Sequence, residues 1–300
     1  MAAQKEMFLI LTVFMASVNS LLLHKIPKRI SIFDFNTVCS AVWVAVLFCV
    51  NGLKFRVNAD ILFWGVLYGI VQTLFLFFKT KAMSSGLVSI TTLIGNCSLI
   101  LSTFVGAFVW REEISFLQII AIAVLICAFF CCTYKKSQSK ASKMWVVYCV
   151  FFFVFAAGVG IIFKTYSKLH QDSLKTGDMM ITAAIVMIII LSLCKVFEKA
   201  VDKKRAEGER QTNEMPAEKL WNRKTVVIAL ACGLLSCAYN RLNIDLSGMF
   251  ESAVFYPCFN GGTCLVSAAL SVIILKERLK PIQIIGLIIG ITAVVLIGVF

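Results

Sequence analysis

Two short stretches place amides, hydroxyls and glycines in the middle of long apolar sequence. One holds Thr91, Thr92, Gly95 and Asn96; the other holds Tyr256, Pro257, Asn260, Gly261, Gly262 and Thr263. Polar groups are costly in hydrocarbon and normally face a bundle interior or a water-filled path. Groups of this kind can hold a small solute by hydrogen bonds. Covalent catalysis would instead need clustered Asp, His or Cys. The same logic selects Gln72 and Thr73, Asn19 and Ser17, and Tyr239, Asn240 and Arg241. The candidate substrate-binding set is therefore Asn96, Asn260, Thr92, Tyr256, Gln72, Asn19, Tyr239 and Arg241. Packing is the competing reading, because small and polar residues also join membrane helices, at about 0.6–2 kcal/mol per interhelical bond.

The charged residues near these stretches have simpler expectations. Arg241 can pair with Asp245 or Glu251, bind a carboxylate or phosphate bidentately, or snorkel to the interface. Lys164 reads as a snorkelling residue at a span end. Glu112 and Glu277 read as loop and helix-start residues, where a carboxylate suits the positive end of the helix dipole. The phenylalanine runs Phe75 to Phe78 and Phe151 to Phe155 read as lipid-facing or packing surface. No cofactor or metal is expected. The histidines, His24 and His170, are isolated, and Cys131-Cys132 lacks the spaced partners of a metal motif. All 12 cysteines sit in or beside apolar runs, where cysteine behaves as a small hydrophobe.

The elements that must position these groups follow from composition. The 300-residue chain is 60% hydrophobic and 15% charged, with a mean hydropathy of +0.90. Soluble domains run about 45–50% apolar and about 25% charged, so the excess apolar surface belongs in lipid. The net charge of +13 reads as loop Lys and Arg in a membrane protein. No basic stretch is interleaved with aromatics as a nucleic-acid surface requires.

Charge-free runs occupy 7–24, 35–53, 61–78, 82–110, 114–134, 144–163, 179–194, 225–240, 252–275 and 281–300. A helix crossing the hydrocarbon core needs about 20 residues, which predicts ten spans. Their continuous apolar character excludes a β-barrel. The first run is full-length and lacks a small-residue cleavage pattern, so it is expected to be a permanent span.

A shift of 165 residues lays 111–120 (REEISFLQII) over 276–285 (KERLKPIQII), with four of ten positions identical. The same shift superposes spans 4 and 5 on spans 9 and 10, and Asp34 and Asp178 stand alike before spans 2 and 7. Gly95-Asn96 falls on Asn260-Gly261. Five spans per copy inverts the second copy relative to the first. The expected fold is an all-α integral membrane protein of ten transmembrane helices in two inverted five-helix repeats, 1–140 and 141–300, with a polar loop 195–224 between spans 7 and 8. Such repeats recur in secondary transporters, with substrate held near midplane.

With this pattern the chain resembles the drug/metabolite transporter superfamily, EamA type. The resemblance covers nearly the whole chain. It is strongest over 84–130 and 249–300, through Pro257, Asn260-Gly261-Gly262 and Lys276-Glu277-Arg278-Leu279. The loop glutamate of that family's signature falls on Glu112 and Glu277. Thr92 stands where the second copy has Pro257, and the 195–224 insertion is long for the family. The resemblance implies solute transport and names no substrate.

The expected function is secondary transport of a small polar or amphipathic metabolite by alternating access, in the cell membrane as a multi-pass protein. Its partners would be the solute and the lipid bilayer, with a homodimer as a compatible assembly and nucleic acid excluded. No phosphate-cradling glycine loop supports ATP coupling. Every Asp and Glu lies at a span end or in a loop, which favours facilitated or exchange transport over proton coupling. Efflux of hydrophobic cations is the alternative; an integral membrane enzyme or scaffold is the reading from another class. Of the 29 Lys and Arg, eight stand on the N-terminal side and the remaining 21 on the other. The positive-inside rule then places both termini outside the cytoplasm, whereas the resemblance implies the cytoplasmic side. A terminal reporter fusion active only when exported bears out the charge count; one active only in the cytoplasm refutes it.

Overall fold

The computed structural model describes residues 2–26, 30–85, 91, 94–133, 143–170, 173–206, 221–275 and 280–299, and every regular element among them is helical. The helices are α1 (Ala2–His24), α2 (Ile32–Val50), α3 (Ala59–Ser85), α4 (Leu99–Trp110), α5 (Phe116–Thr133), α6 (Lys143–Leu169), α7 (Ser173–Ala206) and α8 (Arg223–Met249). Next come α9 (Ser252–Tyr256), a π turn (Pro257–Gly261), α10 (Gly262–Leu275) and α11 (Pro281–Val299). Among the described residues seven helices are long and apolar enough to cross a membrane, and Ile94–Trp110, Phe116–Cys131 and Pro281–Ile297 are shorter apolar helices. Large apolar side chains cover the outside: Phe108 is 80% exposed, Phe116 74% and Ile273 72%. A soluble monomer rarely exposes apolar surface on this scale. The chain is an all-helical, membrane-embedded protein.

Helix is the form these runs must take, since backbone groups in hydrocarbon have to bond within their own segment. Local signals mark the ends. The Asn222 Oδ1 accepts from the Thr225 backbone N–H at 2.9 Å and caps α8. Beyond α2, Gly52 and Leu53 have φ of 64° and 60°, and Arg111 ends α4 at φ 52°. Pro257 cannot donate to the helix ladder, and the span relieves it with the π turn instead of a break. One expectation is corrected. The polar segment 195–224 does not begin as a loop, because α7 runs on to Ala206. Residues 195–206 include four Lys, two Ala, one Arg and one Glu, all good helix formers, and Lys195 pairs with Asp34 at the start of α2.

The two largest of four buried clusters among the described residues hold the bundle. In one, Trp43 (α2), Tyr68 (α3), Phe163 and Tyr166 (α6), Met179 to Ile181 (α7) and Cys237 (α8) are packed together. In the other, Leu9 and Val13 (α1), Leu99 (α4), Leu125 and Phe129 (α5), Phe255 (α9) and Ala293 and Ile297 (α11) meet. Helix α7 packs on α2 and α3, α6 on α3, α4 and α8, α1 on α8 and α10, α4 on α9, and α5 on α11. The first half of α7 is the most enclosed part, with Thr176 through Ala184 all buried.

Helix α3 reaches α7 so closely only because it carries Gly65 and Gly69. A Cβ on Gly65 would stand 2.5 Å from the Thr182 Cβ, and one on Gly69 would stand 2.8 Å from the Ala183 carbonyl oxygen. Overpacking of this kind costs about 1–3 kcal/mol. Gly69→Val is therefore expected to lower the thermal unfolding midpoint of the detergent-solubilised protein. An unchanged midpoint would mean that α3 and α7 are not in contact along this edge.

Candidate functional site

The two midspan stretches are set apart by their packing. Asn96 lies in the turn leading into α4, and Asn260 lies in the π turn; both are half-buried. Gly95 lies against the Phe152 ring of α6, whereas Gly261 lies against Leu125 of α5 and Val294 of α11. No hydrogen bond joins the two amides among the described residues. Thr92 lies outside the described residues, as do Glu277 and its neighbours 276–279. Thr91 is buried, and its hydroxyl accepts from the Trp145 indole at 3.0 Å, so this part of the stretch ties helices together.

Tyr256 is also a tie. Its hydroxyl donates to the Gly160 carbonyl of α6 at 2.8 Å and is thereby occupied. Arg241 pairs with Asp245 at 3.5 Å, one of the partners expected for it. The Arg241 guanidinium lies beside Gly177 and Asn51, and Asn51 Nδ2 donates to the buried Asp178 at 2.9 Å. Tyr239 is half-buried on α8. Asn19 and Gln72 behave differently. Each turns a side-chain oxygen into the interior with no partner among the described residues, as do Tyr68, Asn243, Thr263 and Ser267. These groups lie on α1, α3, α8 and α10. Buried polar groups are normally bonded. An interior lined with open acceptors and hydroxyls can receive a solute or water that donates hydrogen bonds.

A centre of a different kind was missed from sequence. Lys164 does not snorkel: it is 2% exposed, and its Nζ stands 2.6 Å from Glu112 Oε1. It also donates to the Phe250 carbonyl, and Lys168 Nζ approaches the same carboxylate at 3.9 Å. Glu112 Oε2 accepts from the Ser252 backbone N–H at 2.7 Å. The carboxylate thus caps the start of α9, not the start of the helix that follows it in sequence. One ion pair joins the end of α4, the end of α6 and the turn between α8 and α9.

The expectation failed because the charge-free run stops at 163, whereas α6 continues to Leu169 with Phe163 and Tyr166 both buried. Continuation of the apolar face through Tyr166 was the signal that Lys164 lies inside the bundle. Beside it, the His170 Nε2 stands 2.6 Å from Asp60, and Ser167 donates to the Asp245 carbonyl at 3.4 Å. The ends of α2, α4, α6 and α8 and the starts of α3, α7 and α9 form one polar layer. At the other end of the molecule, a cavity of about 340 Å³ opens among Ile30 to Phe33 and Asn36, the last turns of α3 and Leu191 of α7.

Comparisons place this architecture among known folds. No family model matches the sequence, and no curated protein matches it. Solved structures do: 28 chains match. One of them, a crystal structure, superposes with a TM-score of 0.73 over 99% of this chain and 98% of that chain, at 10% identity. The likeness shows a shared fold along the whole length.

Burial by itself would raise the Glu112 carboxyl. The bonds from Lys164 and Ser252 and the Lys164 charge outweigh it and hold the group below the ordinary carboxylate range. A depressed folded value stabilises the protein above the unfolded carboxylate pKa of about 4.3 and is lost as pH falls through the folded value. Acid should thus weaken the wild-type protein below about pH 4.3. In Glu112→Gln that pH dependence should shrink, with stability at neutral pH lower by about 3–5 kcal/mol because Lys164 is left buried without its partner. Thermal unfolding across this pH range is the check; equal acid sensitivity in both proteins would refute the assignment.

Proposed function

We propose that the protein is a secondary transporter of a small polar or amphipathic metabolite, with two inverted five-helix repeats that alternate in access around an interior cavity. The observation that carries this reading is the set of unpartnered polar atoms facing the interior of a membrane-embedded bundle. Asn19 and Gln72 come from the first half of the chain, and Asn243, Thr263 and Ser267 from the second. A scaffold would have no use for open acceptors inside hydrocarbon, where each is costly. A solute path does.

The repeat has support in the packing. Let α1 to α5 exchange with α6, α7, α8, the α9–α10 rod and α11. The pairs α2 with α7, α4 with α9 and α5 with α11 are then unchanged. The contact of α3 with α7 becomes that of α8 with α2; α3 with α6 becomes α8 with α1; α4 with α6 becomes α10 with α1. All of these contacts are present. An odd number of spans per half turns one copy over, and in inverted repeats substrate sits between the copies. This packing is in keeping with the EamA-type resemblance of the sequence, and the ten-span, multi-pass reading in the cell membrane goes with it.

Asn96, Asn260, Gln72 and Asn19 are the residues to test, since none has its side chain committed to a hydrogen bond elsewhere among the described residues. Thermal-shift screening of the purified protein against a metabolite library identifies a solute, because a ligand stabilises the state it binds. Flux of that solute into liposomes is then expected to fall by roughly tenfold in Gln72→Ala and Asn260→Ala, a loss on the scale of one or two hydrogen bonds. Full flux in normally inserted variants would place the path elsewhere.

A further inference from the structure

Helix α8 packs on both α6 and α7, whereas α3, its counterpart under exchange of the halves, has no comparable packing on α1 or α2 among the described residues. Among the described residues the bundle is therefore drawn together more tightly at one place than at the equivalent place. Where α8 meets α6, Gly248 lies directly on Ser167, and a side chain there would overlap the hydroxyl. Ser167 bonds to the Asp245 carbonyl, and Lys164 bonds to the Phe250 carbonyl just past the end of α8. Where α3 leaves α2, the cavity opens instead, between the start of α2 (Ser31, Asn36) and the end of α3 (Leu76, Thr80), with Leu191 of α7 behind them. Asn51 bonds to Asp178 at the end of α2, the end where α8 meets α6, and the cavity lies at its beginning, where Lys195 pairs with Asp34. Nineteen residues of helix separate the two, about 28 Å at 1.5 Å per residue.

We infer that Glu112 and Lys164 are the latch of a gate at the polar end, and that the molecule described here is open towards the opposite end, at the cavity between α2 and α3. The inference rests on the transporter reading above. The latch ties the end of α4, from the first half, to α6 and the start of α9, from the second half. Its closure is therefore a contact between the halves that move. Release of the Glu112 carboxylate frees Lys164, the Ser252 amide and the α6–α8 contact together. In the reciprocal state α3 packs on α1 and α2 and the cavity closes.

Hydrogen–deuterium exchange of the full-length protein in lipid nanodiscs tests this, with wild type compared with Glu112→Gln and with the charge swap Glu112→Lys plus Lys164→Glu. Loss of one charge-assisted bond shifts an opening equilibrium by about tenfold or more. Glu112→Gln should raise exchange by that factor at 164–170 and 248–256 and lower it at 31–36 and 76–84. The swap should restore both. If Glu112→Gln does not insert, Glu112→Leu with Lys164→Met removes both charges without burying one alone and should give the same reciprocal pattern. Faster exchange at the polar end without protection at the cavity makes the pair a structural brace and overturns the gate, as does no change at either end. Solute flux is judged separately. Reciprocal exchange in a protein that carries no solute faults the transporter reading, whereas flux without reciprocity faults the latch.

Discussion

Nothing in a hydrocarbon layer will take a hydrogen bond from an unmet peptide group, and that constraint governs this molecule. It makes each long apolar run a helix and makes every interruption conspicuous. Two interruptions show how the chain answers them. Pro257 costs the ladder a donor and the chain responds with a π turn. The Thr73 hydroxyl bonds back to the Gly69 carbonyl in its own helix. Among the described residues a few buried polar side chains, Asn19, Gln72 and Asn243 among them, remain without a partner inside the bundle.

With no water between helices to expel, close packing and polar ties must hold them. Close packing is supplied by Gly65 and Gly69, where α3 lies on α7. Ties are supplied by Trp43 to Ser236, Trp145 to Thr91 and Tyr256 to Gly160. Each of these aromatics buries a large ring and uses its single donor on a neighbouring helix, as amphipathic aromatics do when enclosed. The ties are spread through the bundle. The buried ion pair of Glu112 and Lys164 lies at one end.

The helical membrane body was legible from run lengths and the absence of charge, because both report directly on the thickness of the hydrocarbon core. The pairing of Arg241 with Asp245 was legible too, since four residues along a helix bring side chains together. The latch was not. Glu112 and Lys164 are 52 positions apart in sequence, and no local rule joins a loop carboxylate to a lysine two helices away. Each alone has an ordinary explanation: one as a helix-start acid, the other as a snorkelling base. Only the tertiary arrangement, with α6 extended past its apolar run and the start of α9 brought under the carboxylate, turns two ordinary residues into one centre. The extension of α7 to Ala206 was missed for the opposite reason. Its local helix propensity was present, and polarity was read as a loop.

A buried ion pair is a poor way to gain stability, because taking both charges out of water offsets most of their attraction. A hydrophobic pair of similar volume would hold α4 to α6 as well. It would not set one arrangement of them above another, since apolar contact is non-directional and tolerates sliding. The bonds at Glu112 are directional: they require Lys164, the Ser252 amide and the carboxylate in one geometry. When that geometry is lost, the partners are left unmet and the arrangement fails as a unit. Contacts of this kind distinguish two arrangements sharply while adding little to the stability of either, a property suited to parts that must separate and rejoin. The end of the bundle where these charges gather is also the end where α8 closes on α6. An apolar pair there would have left the protein as stable, with neither arrangement favoured.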